Sequence, residues 1–162
     1  MTGTAASVHD LLRARGATLA TAESLTGGRV AALLTSVPGS SETFVGGVVA
    51  YATELKVSLL GVPPAVVERY GVVSAECARA MAEGARRTTG ATWAVSTTGV
   101  AGPGPQEGIP AGTVYVGVSG PGSSTAVTLE LVGDREQVRE RTCHEVMSVL
   151  SAILTGEETP LG

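Results

Sequence analysis

The sequence predicts an α/β protein, a three-layer α/β/α sandwich around a mixed sheet in a single domain. Segments in which apolar residues recur every three or four positions alternate with short apolar runs typical of buried strands. A hairpin is predicted where strands at 113–118 and 125–132 flank Gly120-Pro121-Gly122-Ser123. Strands separated by helices favour parallel pairing, and the hairpin adds an antiparallel part, so the sheet is expected to be mixed.

The first half of the chain alternates helices and strands. Each helix is inferred from its apolar spacing and from the Gly or Pro that ends it. The predicted elements are a helix ending at Gly16, a strand at 17–22, a helix ending before Pro38, a strand at 44–51, a brief helix capped by Thr53 and ended by Gly61, a short helix opened by Pro63-Pro64, and a longer helix capped by Ser74.

The second half begins with a strand at 93–97 and a Gly/Pro loop at 99–112. After the hairpin, Asp134 and Gln137 form a capping box that begins a final amphipathic helix. The 162 residues correspond to one domain, predicted over residues 1–154, because domains most commonly contain about 100 to 150 residues. Residues 155–162 are predicted to form a mobile tail.

Composition excludes several classes of function. With 11 basic and 15 acidic side chains the net charge is −4, which leaves no broad cationic surface for nucleic acid. The uncharged stretches 88–106 and 109–129 are broken by Gly and Pro, so no membrane association is expected. Cys77 and Cys143 make no disulfide framework, and a cytoplasmic location is expected. These cysteines and the two histidines lack metal-ligand spacing, so we expect neither a metal nor another cofactor.

The first segment that could take part in a reaction is the turn Ala22-Glu23-Ser24-Leu25-Thr26-Gly27-Gly28. It joins a strand to a helix and would hold the Ser24 hydroxyl near a helix N-terminus, where the helix dipole favours a nucleophile or an anion. We expect substrate contacts from the other polar and glycine residues of this turn, namely Glu23, Thr26, Gly27 and Gly28. The structural alternative is a helix-capping serine followed by glycines needed for close packing.

Lys56 is the second candidate, because it is the only lysine in a chain with ten arginines. A general base must lose its proton, which a guanidinium does not do near neutral pH. If Thr53 caps its helix, Lys56 lies in the first turn, where the helix dipole would lower the pKa of its ammonium group. A neutral Lys56 could then accept the Ser24 proton, and Tyr51 could hydrogen-bond both groups. An arginine-biased composition with one chance lysine is the alternative.

The third segment is the glycine loop Thr97-Thr98-Gly99-Val100-Ala101-Gly102-Pro103. Such loops let backbone N–H groups approach an anion, and open α/β sheets usually bind ligands at strand ends. Thr98, Gly99 and Gly102 are therefore expected to contact substrate. An ordinary connecting loop is equally consistent with this pattern.

Together these segments resemble the CinA C-terminal domain family. The resemblance is carried in order by AESLTGG at 22–28, FVGGVVAYATELKVSLLGV at 44–62, GVVSAECARAMAEGA at 71–85, TTGVAGP at 97–103 and GDREQVR at 133–139. That family includes nicotinamide-nucleotide amidohydrolases and occurs alone or fused behind a larger domain. The length of this chain predicts the stand-alone form.

The resemblance implies hydrolysis of the carboxamide of nicotinamide mononucleotide, with Ser24 as nucleophile and with Tyr51 and Lys56 assisting it. Arg135, in the GDR motif, is expected to bind the substrate phosphate or carboxylate. Leu25 and Ile109 depart from the family pattern, which commonly has cysteine and lysine at these positions. A non-catalytic nucleotide-binding or regulatory module and a Ser-Lys amidase for another small amide are the alternatives.

A homodimer or larger homo-oligomer is expected, because the hairpin presents an alternating apolar face at Val114, Val116 and Val118.

Overall fold

The structure, a computed structural model, describes residues 3–156. Within this range it contains five strands: β1 (Leu19–Glu23), β2 (Phe44–Val49), β3 (Trp93–Gly99), β4 (Thr113–Gly120) and β5 (Ser123–Glu130). The same range contains six α-helices and a short 3-10 helix at Ser40–Glu42. The α-helices are α1 (Ala5–Ala14), α2 (Arg29–Thr35), α3 (Thr53–Ser58), α4 (Pro64–Tyr70), α5 (Ala75–Thr89) and α6 (Arg135–Thr155).

The strands form one mixed sheet in the order β2-β1-β3-β4-β5. Strand β1 is parallel to both β2 and β3, whereas β4 is antiparallel to both β3 and β5. The carboxyl ends of β1, β2 and β3 therefore meet at one edge of the sheet, which is where open α/β sheets usually bind ligands.

Two apolar cores lie on opposite faces of the sheet and confirm the predicted three-layer sandwich. On one face, Val114, Val116 and Val118 of β4 are buried in the core to which Val146 and Leu150 of α6 contribute. On the other face, α5 packs against the sheet with Cys77, Met81 and Ala85 turned inward. The apolar face of the hairpin is thus covered by the chain itself. The expectation of an oligomer was based on this face, which does not require a partner chain.

The predicted order of elements is confirmed, and their bounds shift by a few residues. Ser74 caps α5 by accepting from the Cys77 amide, and Asp134 and Gln137 form the capping box of α6. The Thr53 cap is wrong: Ala52 is the N-cap of α3, and Thr53 is its first helical residue. Helix α6 includes Thr155, and residues 157–162 of the predicted tail lie outside the described residues. Among residues 3–156, every helix is too short or too polar to cross a membrane.

Candidate active site

Ser24 lies directly after the carboxyl end of β1, at the ligand-binding edge of the sheet. Its amide donates a hydrogen bond to the Thr97 carbonyl oxygen at 3.0 Å, and its own carbonyl accepts from the Gly27 amide at 3.0 Å. The chain then turns through Gly27 and Gly28, whose φ angles of 56° and 103° lie in a region that favours glycine. These contacts fix the backbone of Ser24 while its side chain stays partly exposed.

The Glu23 carboxylate lies behind this turn and is only 1% exposed. One of its oxygens accepts from the Thr26 hydroxyl at 2.6 Å and from the Val30 amide at 2.8 Å, and the other accepts from the Ala31 amide at 3.1 Å. Glu23 therefore occupies the N-terminus of α2. The Ser24 hydroxyl was predicted to lie near this helix N-terminus, but the helix begins only at Arg29, and its Val30 and Ala31 amides donate to Glu23 and not to Ser24.

Glu23 and Thr26 support the Ser24 turn from inside the protein, in contrast to their predicted role in substrate contact. Thr26 is completely buried and is also 2.8 Å from the Thr97 hydroxyl. Gly27 and Gly28 form the turn on the far side of Ser24, outside the cleft described below. A Cβ atom at Gly27 would lie 3.1 Å from the Arg139 guanidinium, so this glycine also permits close packing.

Lys56 reaches Ser24 from α3. Its Nζ atom lies 3.0 Å from the Ser24 hydroxyl oxygen, 2.8 Å from the Ala50 carbonyl oxygen and 3.1 Å from the Tyr51 carbonyl oxygen. A neutral lysine has two N–H donors and one lone pair. In this geometry the donors can bind the two carbonyls and the lone pair can accept the Ser24 proton. The three contacts therefore match a serine nucleophile with its base.

Burial lowers the pKa of Lys56, whose side chain is 2% exposed. Cys77, Glu107 and Glu54 oppose this effect, but no carboxylate of the described residues lies within 4.0 Å of its amine. The direction of the shift agrees with the sequence-based prediction, although its main cause is burial and not the helix dipole. A lowered pKa increases the neutral fraction that can act as a base.

A cleft of about 280 Å³ opens above the Ser24 and Lys56 pair. It is bordered by several predicted site residues from separate parts of the chain: Ser24, Tyr51, Lys56, Thr98, Gly99, Gly102 and Arg135. Leu25, Ala101 and Gly102 border the same cleft, and their backbone amides donate to no acceptor within residues 3–156. Such free amides are candidate donors to an oxyanion or a phosphate.

Arg135 crosses the mouth of this cleft. Its guanidinium donates to the Gly102 carbonyl oxygen at 2.8 Å and to the Tyr51 hydroxyl at 3.1 Å. The Tyr51 side chain, 61% exposed, thus pairs with Arg135, and the expectation that its hydroxyl bonds Ser24 and Lys56 is wrong. Tyr51 contacts Lys56 only through its backbone carbonyl.

Sequence reasoning missed Thr53 and Gln106 as residues of the cleft, and Glu107 beside it. Glu107 has a φ of 53° and accepts from the Val72 and Val73 amides at 3.2 and 3.3 Å. It therefore ties the glycine loop to the segment before α5. No local pattern marks these residues, since contacts made by a long loop depend on its tertiary path. Ile109 packs on the α5 side of the sheet and does not itself border the cleft, although it is hydrogen-bonded to Gln106, which does.

Candidate metal ligands form no cluster in the described part of the chain. Among the described residues, no three His, Cys, Asp or Glu side chains are placed so that they could hold a metal ion.

Comparison with known proteins agrees with this fold. The sequence matches the CinA C-terminal domain over residues 1–154. The chain belongs to the CinA C-terminal domain family. A CinA-like protein from Frankia casuarinae is 47% identical over 149 residues, covering 92% of this chain and 34% of the relative. A CinA-like protein from Myxococcus xanthus is 47% identical over 161 residues, covering 96% of this chain and 38% of the relative. The chain thus spans about a third of the length of these curated relatives.

Solved structures of CinA relatives have the same fold. A CinA superfamily protein from Klebsiella pneumoniae has a TM-score of 0.89 and 33% identity, with 92% of this chain and 94% of that chain covered. A competence or damage-inducible protein from Enterobacter asburiae has a TM-score of 0.89 and 31% identity, with 93% and 98% covered. The predicted family and the predicted fold class are both confirmed.

Proposed function

We propose that this CinA-family domain is an amidohydrolase that converts nicotinamide mononucleotide to nicotinate mononucleotide and ammonia. The observation that carries the proposal is the 3.0 Å contact between Lys56 Nζ and Ser24 Oγ at the floor of the cleft. A serine hydroxyl beside a buried lysine with a lowered pKa is an activated nucleophile. This favours an enzyme over a module that only binds nucleotides.

In the first step the Ser24 oxygen attacks the carboxamide carbon, and the Ser24 proton passes to Lys56 Nζ. The carbonyl oxygen becomes an oxyanion, and the amides of Leu25, Ala101 and Gly102 are the candidate donors to it. The resulting Lys56 ammonium then donates its proton to the leaving nitrogen, so that ammonia departs and an acyl-serine ester remains.

In the second step water attacks the ester carbon, and Lys56 accepts a proton from this water. Collapse of the second tetrahedral intermediate returns the proton to Ser24 and releases the carboxylate product. Lys56 thus cycles between its neutral and charged forms, which requires that neither form be fixed by a carboxylate. Its two backbone carbonyl partners satisfy both forms.

Arg135 is proposed to bind the phosphate of the substrate. Its guanidinium lies at the mouth of the cleft and can exchange the Gly102 and Tyr51 oxygens for phosphate oxygens in a bidentate pair. The cleft is small, about 280 Å³ against the roughly 300–1,000 Å³ usual for ligand pockets, which favours a mononucleotide over a larger ligand.

The test is an ammonia-release assay on nicotinamide mononucleotide, nicotinamide riboside, nicotinamide and unrelated amides. We expect ammonia from the mononucleotide with the parent protein and none with Ser24→Ala. Ser58→Ala is a matched control, because Ser58 is exposed on α3 and outside the cleft, so it should keep full activity.

Three results would contradict the proposal or its mechanism. Mononucleotide binding without ammonia release would identify a binding module, and turnover of another amide alone would identify a different substrate. Full activity of Ser24→Ala would remove Ser24 from the mechanism.

A further inference from the structure

A second and larger cleft, of about 800 Å³, lies at the end of the sheet opposite to Ser24. It is formed by α5 from Arg79 onwards, the segment before β3 and the turn between β4 and β5. Its walls contain three arginines, one glutamate and a set of small residues: Arg79, Arg86, Arg87, Glu83, Gly90, Ala91, Ser119, Gly120, Gly122, Ser123 and Ser124. No residue of this cleft belongs to the catalytic cleft.

The cleft is basic in an otherwise acidic protein. Three of the ten arginines of the chain line it, and Glu83 is the single acidic residue among its walls. Arg79, Glu83 and Arg86 follow at helical spacing and share one face of α5. Within residues 3–156, Glu83 pairs with none of these arginines at 4.0 Å or less, so the positive charges are not neutralised.

Two of the arginines carry buried donors that lack an acceptor. The Nε atoms of Arg79 and Arg86 are both inaccessible to solvent and have no hydrogen-bond partner in the described part of the chain. Buried donors are rarely left without a partner, and a charged donor without one costs several kcal/mol in a dry site. Arg79 donates to no acceptor in the described part of the chain, and Arg86 donates only from Nη1, so an anion in the cleft can complete the hydrogen bonds of their terminal nitrogens.

The other contacts of these side chains hold the cleft in shape. Arg86 donates from Nη1 to the Gly120 carbonyl oxygen at 2.7 Å, and Arg87 donates from Nη2 to the Leu60 carbonyl oxygen at 3.2 Å. The Ser124 hydroxyl donates to that of Ser119 at 2.9 Å on the opposite wall. The guanidinium of Arg86 is thus anchored at Nη1, while its Nη2 donates to no acceptor within the described residues.

We propose that this cleft binds a phosphorylated small molecule through Arg79 and Arg86. The planar guanidinium fork matches the spacing of phosphate oxygens, and serine hydroxyls can donate to the same group. The cleft is also larger than the catalytic one, so it can take a ligand with two linked phosphates. This site is separate from the proposed amidohydrolase site and does not depend on it.

The test is isothermal titration of the full chain with pyrophosphate at low salt. We expect the double variant Arg79→Gln/Arg86→Gln to bind about tenfold more weakly or worse, because it loses two charge-assisted contacts. Arg141→Gln is the matched control, since Arg141 is exposed on α6 and borders neither cleft. Arg135→Gln, which alters the catalytic cleft, should leave pyrophosphate binding at the second cleft intact.

A further variant keeps the test valid if the double substitution unfolds the protein. Arg79→Lys retains the charge but removes the planar guanidinium fork, so it should bind pyrophosphate several-fold more weakly than the parent with an unchanged melting temperature. Three results would overturn the proposal: no pyrophosphate binding by the parent, loss of binding in Arg135→Gln alone, or parent-like binding by a folded Arg79→Gln/Arg86→Gln variant.

Discussion

At the scale of single residues, two backbone carbonyls hold Lys56 against Ser24, and no acidic side chain takes part. The Ala50 and Tyr51 carbonyl oxygens accept from Nζ at 2.8 and 3.1 Å and leave its third position for Ser24. A carboxylate there would stabilise the ammonium form and raise the pKa of Lys56. The neutral carbonyls orient the amine without that effect, which is the arrangement a general base requires.

Tyr51→Phe tests whether the Tyr51 hydroxyl relays protons. Because this hydroxyl bonds Arg135 at the mouth of the cleft, its removal should raise KM for nicotinamide mononucleotide and leave kcat within about twofold. Steady-state kinetics measure both constants, with Tyr70→Phe as the control on an exposed tyrosine outside the cleft. A fall in kcat of about 100-fold, the size expected for a lost proton-transfer group, would show that the Tyr51 hydroxyl does relay protons.

Glu23→Gln tests the support of the Ser24 turn. The two carboxylate oxygens accept from three donors in a buried site, whereas glutamine keeps one acceptor oxygen and turns an NH₂ group towards an N–H. We expect a loss of about 1–3 kcal/mol in the free energy of unfolding, measured by chemical denaturation. Glu140→Gln, exposed on α6, should change it little. Equal stability of the two variants would contradict the supporting role.

At the scale of elements, helix α5 packs closely against its neighbours through glycine. A Cβ atom at Gly84 would overlap the Leu60 carbonyl oxygen, and one at Gly117 of β4 would overlap the Ala78 carbonyl oxygen. Backbone thus lies directly on backbone at both positions. This packing fixes α5 as one wall of the second, arginine-lined cleft.

Gly84→Ala should therefore destabilise the protein despite the higher helix propensity of alanine. We expect a loss of about 1–3 kcal/mol from overpacking and a lower melting temperature in thermal denaturation. Gly104→Ala is the control, because its Cβ atom would meet nothing within 4 Å. An unchanged or higher melting temperature for Gly84→Ala would show that α5 can move away from Leu60.

The elements that were predicted well carry their signals locally. Ser74 and the pair Asp134 and Gln137 are caps whose donors lie three residues away, so the starts of α5 and α6 follow from sequence alone. Strand ends depend on pairing with neighbouring strands, and β1 and β2 accordingly differ from their predicted bounds. At α3 the Ala52 carbonyl accepts from the Leu55 amide, which makes Ala52 the cap one residue before the expected Thr53.

The sequence predicts the candidate site only at residues that have a reactive side chain and also lie in a recognisable motif. Ser24 and Lys56 were identified by residue type, and the structure brings them into contact. The direction of each side chain was not predictable: neighbouring residues at a strand end point to opposite sides, which turns Glu23 inward and Ser24 towards the cleft. Gln106 and Glu107 lie in a long loop without periodicity, where only the tertiary fold decides what they contact.

At the scale of the whole molecule, the expectation of a homodimer or larger assembly remains a prediction. Helix α6 covers the apolar face of β4, but β2 and β5 are unpaired edges of the sheet within the described residues. On the edge strand β2, Val45 and Val49 are 50% and 46% exposed, and an exposed apolar edge strand is a site where another chain can pair. Light scattering should give a dimer mass or above, and a monomer mass at every concentration would contradict this.

The most direct test of the account is the comparison of Lys56→Arg with Lys56→Ala. The buried site holds a single nitrogen against Ser24, and arginine keeps the charge but cannot accept a proton near neutral pH. Both variants should therefore lose about 100-fold or more in kcat for ammonia release from nicotinamide mononucleotide, with folding checked by circular dichroism. In the parent, activity should rise with pH through the lowered pKa of Lys56 and then level off, because only the neutral amine is the base. Substantial kcat in Lys56→Arg would contradict general-base catalysis by Lys56.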